Sequence, residues 1–233
     1  MDKKSIDRIV KEAFSLGKKA LAEPDAKEIL RLSSVPVPRS VLVKDVTGAI
    51  EAAEKIGYPV ALKIVSPEIV HKSDIGGVAL GVRDSRDIVD RWSNMILNIA
   101  DENPVAMIEG FLVEEMMPRG VEVVIGAVKD AQFGTVVMFG TGGVAVELMK
   151  DVSFRLGPVD KEEAFEMMGE VRGYPLLTGF RGDTIKDLGA IADCIVKLSR
   201  LVALTDGIKE FEINPLIVYE SGVMAVDARA VLG

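Results

Sequence analysis

The chain has 233 residues, 48% of them hydrophobic and 27% charged, with a formal net charge of −8, one histidine and one cysteine. That length and apolar content can bury a substantial core in one large domain or two small ones, and an acidic balance without a Lys/Arg-rich run argues against a nucleic-acid surface. No apolar run approaches a bilayer span, Met1 leads into polar MDKKSIDR rather than a signal peptide, and the lone Cys194 rules out an internal disulfide, so a cytoplasmic protein with no membrane partner is expected.

In chain order, residues 5–32 read as helical, with Ile6, Ile9, Val10, Ala13 and Leu16 on one face and a break expected at Glu23-Pro24. VPVPRS (35–40) stops the helix, because proline lacks an N–H and restricts the residue before it. Val41–Val43 is a short strand, and Thr47 is expected to cap a helix through Ile56. Next comes an apolar strand, Val60–Val65, carrying one lysine, Lys63. A polar segment with His71 and the pair Gly76-Gly77 leads into a second β-like run at Val78. Asp84 or Ser85 caps a helix whose Ile88, Trp92, Met95 and Ile99 recur at helical spacing, so Trp92 reads as core.

FLVEEMMPRG (111–120) is a strand ending in acidic residues and a Pro/Gly break. The β-rich runs 121–128 and 134–139 follow, then a second glycine loop, Gly140-Thr141-Gly142-Gly143. Asp160 with Glu163 forms a capping-box pattern for a helix to about Glu170. The polar loop TGFRGD (178–183) precedes what reads as the longest helix, Thr184–Leu204. Two strands, 211–219 and 223–228, close the chain as a hairpin-like pair. This pattern predicts an α+β fold of two subdomains rather than a doubly wound parallel α/β sheet, with one module over 1–233, a small subdomain at 38–112, and a larger one at 113–233 joined by helices 1–37. Neither GxGxxG after a strand nor GxxxxGK[ST] is present, so the Rossmann and P-loop readings lack their fingerprints.

Several groups carry possible chemistry. A lysine inside an apolar strand is costly to desolvate unless an anion meets it, so Lys63 is either a phosphate ligand or else an edge-strand lysine facing water or one that snorkels. Gly76-Gly77 can expose consecutive backbone N–H groups to an anion, although many turns contain Gly-Gly. Glu212 and Asn214, two apart on a strand, share a face. A tight hairpin would lay Asp227 beside them as a third oxygen ligand for Mg²⁺; the alternative is hairpin-end polarity, since Asn-Pro commonly begins a turn. His71 sits among Lys72, Ser73 and Asp74, a polar setting in which a neutral imidazole can accept a phosphoryl group, although a lone histidine is more often structural.

The segments YPVALKIVSPEIVHKSDIGGVALGV, LVEEMMPRGVEVVIG, FGTGGVAVELMKDVSFRLGPV, LLTGFRGD and FEINPLIVY…AVDARA resemble the β subunit of ADP-forming acetyl-CoA synthetase. That family has the ATP-grasp fold, with the nucleotide held between two α+β subdomains. The resemblance implies a reversible reaction in which acyl-CoA, ADP and phosphate give a carboxylic acid, CoA and ATP. It implies ATP/ADP and Mg²⁺ as ligands and a separate CoA-binding α subunit, in an α2β2 heterotetramer. By motif, His71 is the carrier histidine on a mobile loop, a residue that succinyl-CoA synthetase β subunits lack. Lys63 contacts the phosphates, with Gly76 and Gly77 beside it. Glu114, Glu115 and Met116 form the adenine hinge through backbone groups, Glu122 lies near the ribose, and Glu212, Asn214 and Asp227 serve Mg²⁺. Arg155 and Arg181 are assigned to phosphate or to the α-subunit contact. The competing readings are a succinyl-CoA synthetase-like β subunit and a non-catalytic ATP-sensing module.

Overall fold

A computed structural model describes residues 1–69, 72–142 and 150–233. In chain order its elements are α1 (Lys3–Ser15), β1 (Ala20–Leu21), α2 (Glu23–Leu32), β2 (Ser40–Val43), α3 (Val46–Ile56), β3 (Val60–Val65), β4 (Val78–Val82), α4 (Ser85–Glu102), β5 (Gly110–Glu115), β6 (Val121–Asp130) and β7 (Gly134–Thr141). They continue with β8 (Val152–Gly157), α5 (Lys161–Glu170), the short α6 (Tyr174–Leu177), a 3₁₀ turn (Phe180–Gly182), α7 (Leu188–Leu204), β9 (Ile208–Val218), β10 (Val223–Ala225) and β11 (Ala228–Leu232). Two compact units result: Pro38–Pro118, and Met1–Val37 with Arg119–Gly233. The strand β5 falls wholly in the smaller unit, where it pairs with β2 and β3; a boundary at 112/113 would cut it.

The smaller unit is a four-stranded antiparallel sheet in the order β2-β5-β3-β4. Val60, Leu62 and Ile64 of β3 and Phe111 and Val113 of β5 join Ala49, Ala53, Ile88, Met95 and Ile99 of α3 and α4 in one core. Trp92 packs against this core, its ring 3.7 Å from that of Phe111. Because strand side chains alternate, Ala61, Lys63 and Val65, with Leu112 and Glu114, point to the opposite face.

The larger unit is a seven-stranded antiparallel sheet, β1-β11-β9-β6-β7-β8, with β10 also pairing with β9. Its core gathers Val123, Ile125, Phe139, Phe211 and Ile213 of the sheet with Ile6, Ile29, Met167, Ile195 and Leu198 of the helices.

Several boundaries differ from expectation for local reasons. The N-terminal break comes earlier, at residues 16–22, and Pro24 lies in the first turn of α2, where its missing N–H costs nothing. Asp45, not Thr47, caps α3, its carboxylate accepting from the Gly48 amide at 2.8 Å. The helix expected at Thr184 begins at Leu188 behind the cap Asp187, which leaves α4, with 18 residues, the longest. Asp84 caps α4, and the Asp160–Glu163 capping box is complete on both sides. Among the described residues no helix is long and apolar enough to cross a membrane.

Candidate active site

In the smaller unit, β3 lies between β5 and β4, so the edge-strand reading of Lys63 does not hold. Its side chain is 5% exposed, and Nζ stands 2.8 Å from Oε1 of Glu114, whose side chain is 1% exposed. Glu114 pairs with Ala61, diagonal to Lys63, which brings the two side chains together on one face of adjacent strands. The anion that a buried lysine requires is thus supplied from within the sheet.

Glu114 and Glu115 are both ladder residues: Glu114 is flanked by Ser40 and Ala61, and Glu115 faces Val60 and donates its amide to Arg39 O at 2.9 Å. The Arg39 guanidinium grips the Glu115 carboxylate at 2.9 and 3.2 Å, and this hydrogen bonding holds the Glu115 carboxyl below its ordinary range. An adenine hinge built on backbone groups therefore has only Met116 outside the ladder. Arg39 had no signal in the sequence, because its partner is 76 residues away.

His71 lies outside the described residues. Past it, Gly76 donates to Ser73 O at 3.2 Å and Gly77 to Lys72 O at 2.7 Å. The Gly76-Gly77 amides thus close their own turn in this arrangement rather than being presented to an anion. Both glycines are required by geometry. Gly76 has φ +69°, and a Cβ at Gly77 would come within 2.7 Å of Ile64 and 2.9 Å of Lys72 O.

In the larger unit two of the three predicted metal ligands share a face, and the third lies beside them along the main chain. Phe211 and Ile213 face the core, so Glu212 and Asn214 share the opposite face, and Asn214 Nδ2 donates to Glu212 Oε1 at 3.1 Å. The strand does not turn at Asn214-Pro215. It continues to Val218 through a register shift opposite β6, where residues 123–125 face 213–216. A proline inside a central strand is tolerated at such a bulge because no ladder amide is lost.

At the same level β9 changes neighbours, from Ala228 of β11 opposite Ile213 to Ala225 of β10 opposite Leu216. The expected single strand 223–228 is therefore two, and Asp227 lies between them. Its carbonyl accepts from Asn214 N at 3.2 Å, and its carboxylate accepts from Ala228 N at 2.8 Å. Two carboxylates and a carboxamide, all hard oxygen donors, suit Mg²⁺. Among the described residues no cluster of three or more His, Cys, Asp and Glu side chains offers an alternative metal site.

Glu122, in β6 opposite Ile217, is exposed, and its carbonyl accepts from Gly142 N at 2.7 Å. A Cβ at Gly142 would meet the Glu122 backbone at 2.7 Å, so this glycine serves a close main-chain approach; Gly143 lies outside the described residues. Further along the chain, Asp151 accepts from the amides of Arg172 (2.7 Å) and Gly173 (2.8 Å) and from the Thr141 hydroxyl (3.0 Å). Burial alone would raise its carboxyl, but these donors outweigh it and hold the pKa below the ordinary value.

The two arginines are not brought together. Arg155 is engaged by Glu170 at 2.5 Å and Glu166 at 3.4 Å, both on α5, so its charge is already matched locally. Arg181 is exposed, with φ 56° and its guanidinium 5.3 Å from the Phe180 ring centre.

A family model described as an ATP-grasp domain matches residues 12–232. The chain therefore belongs to the ATP-grasp family. It is 42% identical to the β subunit of acetate–CoA ligase (ADP-forming) I of Pyrococcus furiosus, over all of both chains. The dinucleotide-forming acetyl-coenzyme A synthetase 1 of Ca. Korarchaeum cryptofilum, solved with coenzyme A, Ca-AMPCP and HgCl⁺, superimposes with a TM-score of 0.95 at 42% identity, covering 97% of this chain and 99% of that one. A second structure of that enzyme, with coenzyme A and Mg-AMPPCP and its phosphohistidine segment pointing towards the nucleotide binding site, superimposes with a TM-score of 0.85 at 39% identity, covering 98% of this chain and all of that chain.

Proposed function

We propose that this chain is the nucleotide-binding β subunit of an ADP-forming acyl-CoA synthetase of the acetate–CoA ligase type. With a separate CoA-binding α subunit, in an α2β2 assembly, it interconverts acyl-CoA, ADP and phosphate with carboxylic acid, CoA and ATP. The observation that carries this reading is the end-to-end match at 42% identity to an acetate–CoA ligase β subunit. Retention of His71 within HKSD favours it over a succinyl-CoA synthetase-like β subunit and over a non-catalytic sensor.

In this reading His71 arrives phosphorylated. An ADP β-phosphate oxygen attacks the phosphorus, the N–P bond breaks, and its electron pair returns to the imidazole nitrogen. Such a transfer depends on positioning and charge neutralisation more than on covalent assistance. Lys63 supplies one positive charge to the phosphates, and Met116 supplies backbone groups to the adenine. Glu212, Asn214 and Asp227 hold Mg²⁺, which when bound neutralises phosphate charge. Glu122 serves the ribose. The Arg155 and Arg181 assignments remain part of the proposal only as surface contacts to the α subunit.

Acid-labile labelling from [γ-³²P]ATP tests the carrier role. Wild type is expected to incorporate label and His71→Ala to incorporate none while still binding nucleotide. Equal labelling of the two would exclude His71 as the carrier.

A further inference from the structure

The Lys63–Glu114 pair supports a role for Glu114 distinct from an adenine hinge. The Glu114 main chain is flanked on both sides, by Ser40 of β2 and Ala61 of β3. Its backbone is therefore part of the sheet, and its side chain is what it has to offer. That side chain is directed at Lys63: Oε1 lies 2.8 Å from its Nζ, with both groups almost wholly withdrawn from water. A lysine ammonium sits on a flexible four-carbon stem, and its charge is easily lost when it is buried. A carboxylate at hydrogen-bond distance from the neighbouring strand remedies both, fixing the direction of the stem and favouring the charged form.

We propose that Glu114 is a positioning residue. It acts through Lys63, holding the ammonium charged and aimed so that it meets a nucleotide's phosphates without reorganisation. The inference rests on the nucleotide-binding reading of this chain. It goes beyond that reading by separating Glu114 from the base: its contribution is to phosphate affinity, not adenine affinity.

The two functions are separable because adenosine has the base and ribose without the phosphates. Calorimetric titration of the full-length chain with ADP in Mg²⁺, and with adenosine, is the experiment. The variants are Glu114→Gln, Lys63→Met and Lys63→Met/Glu114→Gln, each with its melting temperature measured in parallel. Glu114→Gln is expected to weaken ADP at least about tenfold, the low end of the scale of a hydrogen bond to a charged group, and to leave adenosine within about twofold of wild type. Lys63→Met is expected to do the same.

The double variant removes both buried charges. It is therefore expected to recover melting temperature relative to Glu114→Gln while binding ADP no better than either single variant. That combination, with stability restored and phosphate affinity still lost, is one that a purely structural role for Glu114 does not produce. Unchanged ADP affinity in Glu114→Gln, or equal loss of ADP and adenosine, overturns the proposal. If the wild-type chain binds neither ligand, the nucleotide reading itself fails, and that outcome is distinct from a failure of the positioning role.

Discussion

The smaller unit hides its candidate phosphate-binding cation, whereas the larger unit leaves its candidate metal donors open. Lys63 is buried in an interior strand and carries its counter-ion with it, in Glu114. Glu212 and Asn214 stand on the water-facing side of β9, partly or wholly exposed, and are held by a single mutual hydrogen bond. The difference follows from solvation. A charge inside a sheet must be neutralised at once for the fold to form, while carboxylates in water keep their hydration until a cation replaces it. Stability and ligand readiness are thus linked in one unit and separate in the other.

The largest expected effect breaks the buried side of this contrast. Glu114→Ala removes the carboxylate beside a buried ammonium and is expected to lower unfolding free energy by about 3–5 kcal/mol, measured by urea denaturation. A loss of under about 1 kcal/mol would mean that water reaches Lys63, and the contrast would collapse.

Asp151 gives an intermediate case, a largely buried carboxylate matched by amides rather than by a charge. Asp151→Asn should cost about 1–3 kcal/mol at neutral pH, because at most one of its two oxygens remains as acceptor. Its folded-state pKa is depressed, so the stabilisation is present above the ordinary carboxylate value and is lost as pH falls through the lower folded value. The gap between wild type and Asp151→Asn should therefore narrow below about pH 4, and a pH-independent gap would place the effect elsewhere.

Asn214→Ala tests the open side. Stability without Mg²⁺ should change by less than about 0.5 kcal/mol, as for other surface positions, while the Mg²⁺ concentration needed for ADP binding rises. A large loss of stability would show that the donor set is part of the core.

Cys194 marks the small end of the scale, since a group that stays neutral can be buried without any partner. Burial pushes its thiol up to about 12, so labelling by a thiol reagent should be negligible at neutral pH until the chain is unfolded.

Much of this was legible in local patterns. The capping box at Asp160, the cap at Asp84, the strand around Lys63 and the shared face of Glu212 and Asn214 each depend on residues within a few positions of one another. The helix starts at Asp45 and Asp187 are not legible locally, because several polar residues compete as caps and backbone conformation selects among them. The strand read over 211–219 does run on past Pro215, but the bulge and the exchange of neighbouring strands that accommodate the proline left no local signal. The amides of Gly76-Gly77 read equally well as cradle or as turn until their acceptors, Lys72 and Ser73, were known.

By itself the sequence determined the alternation of helices and strands, the two-unit α+β plan, and the residue types a phosphoryl-transfer site requires. It did so because periodicity and turn chemistry are short-range. Only the tertiary structure decided that Lys63 is interior, that Glu114 answers it, and that Arg39 answers Glu115. Those pairings are set by strand order, which joins residues far apart in the chain and leaves no mark on the local pattern of either partner.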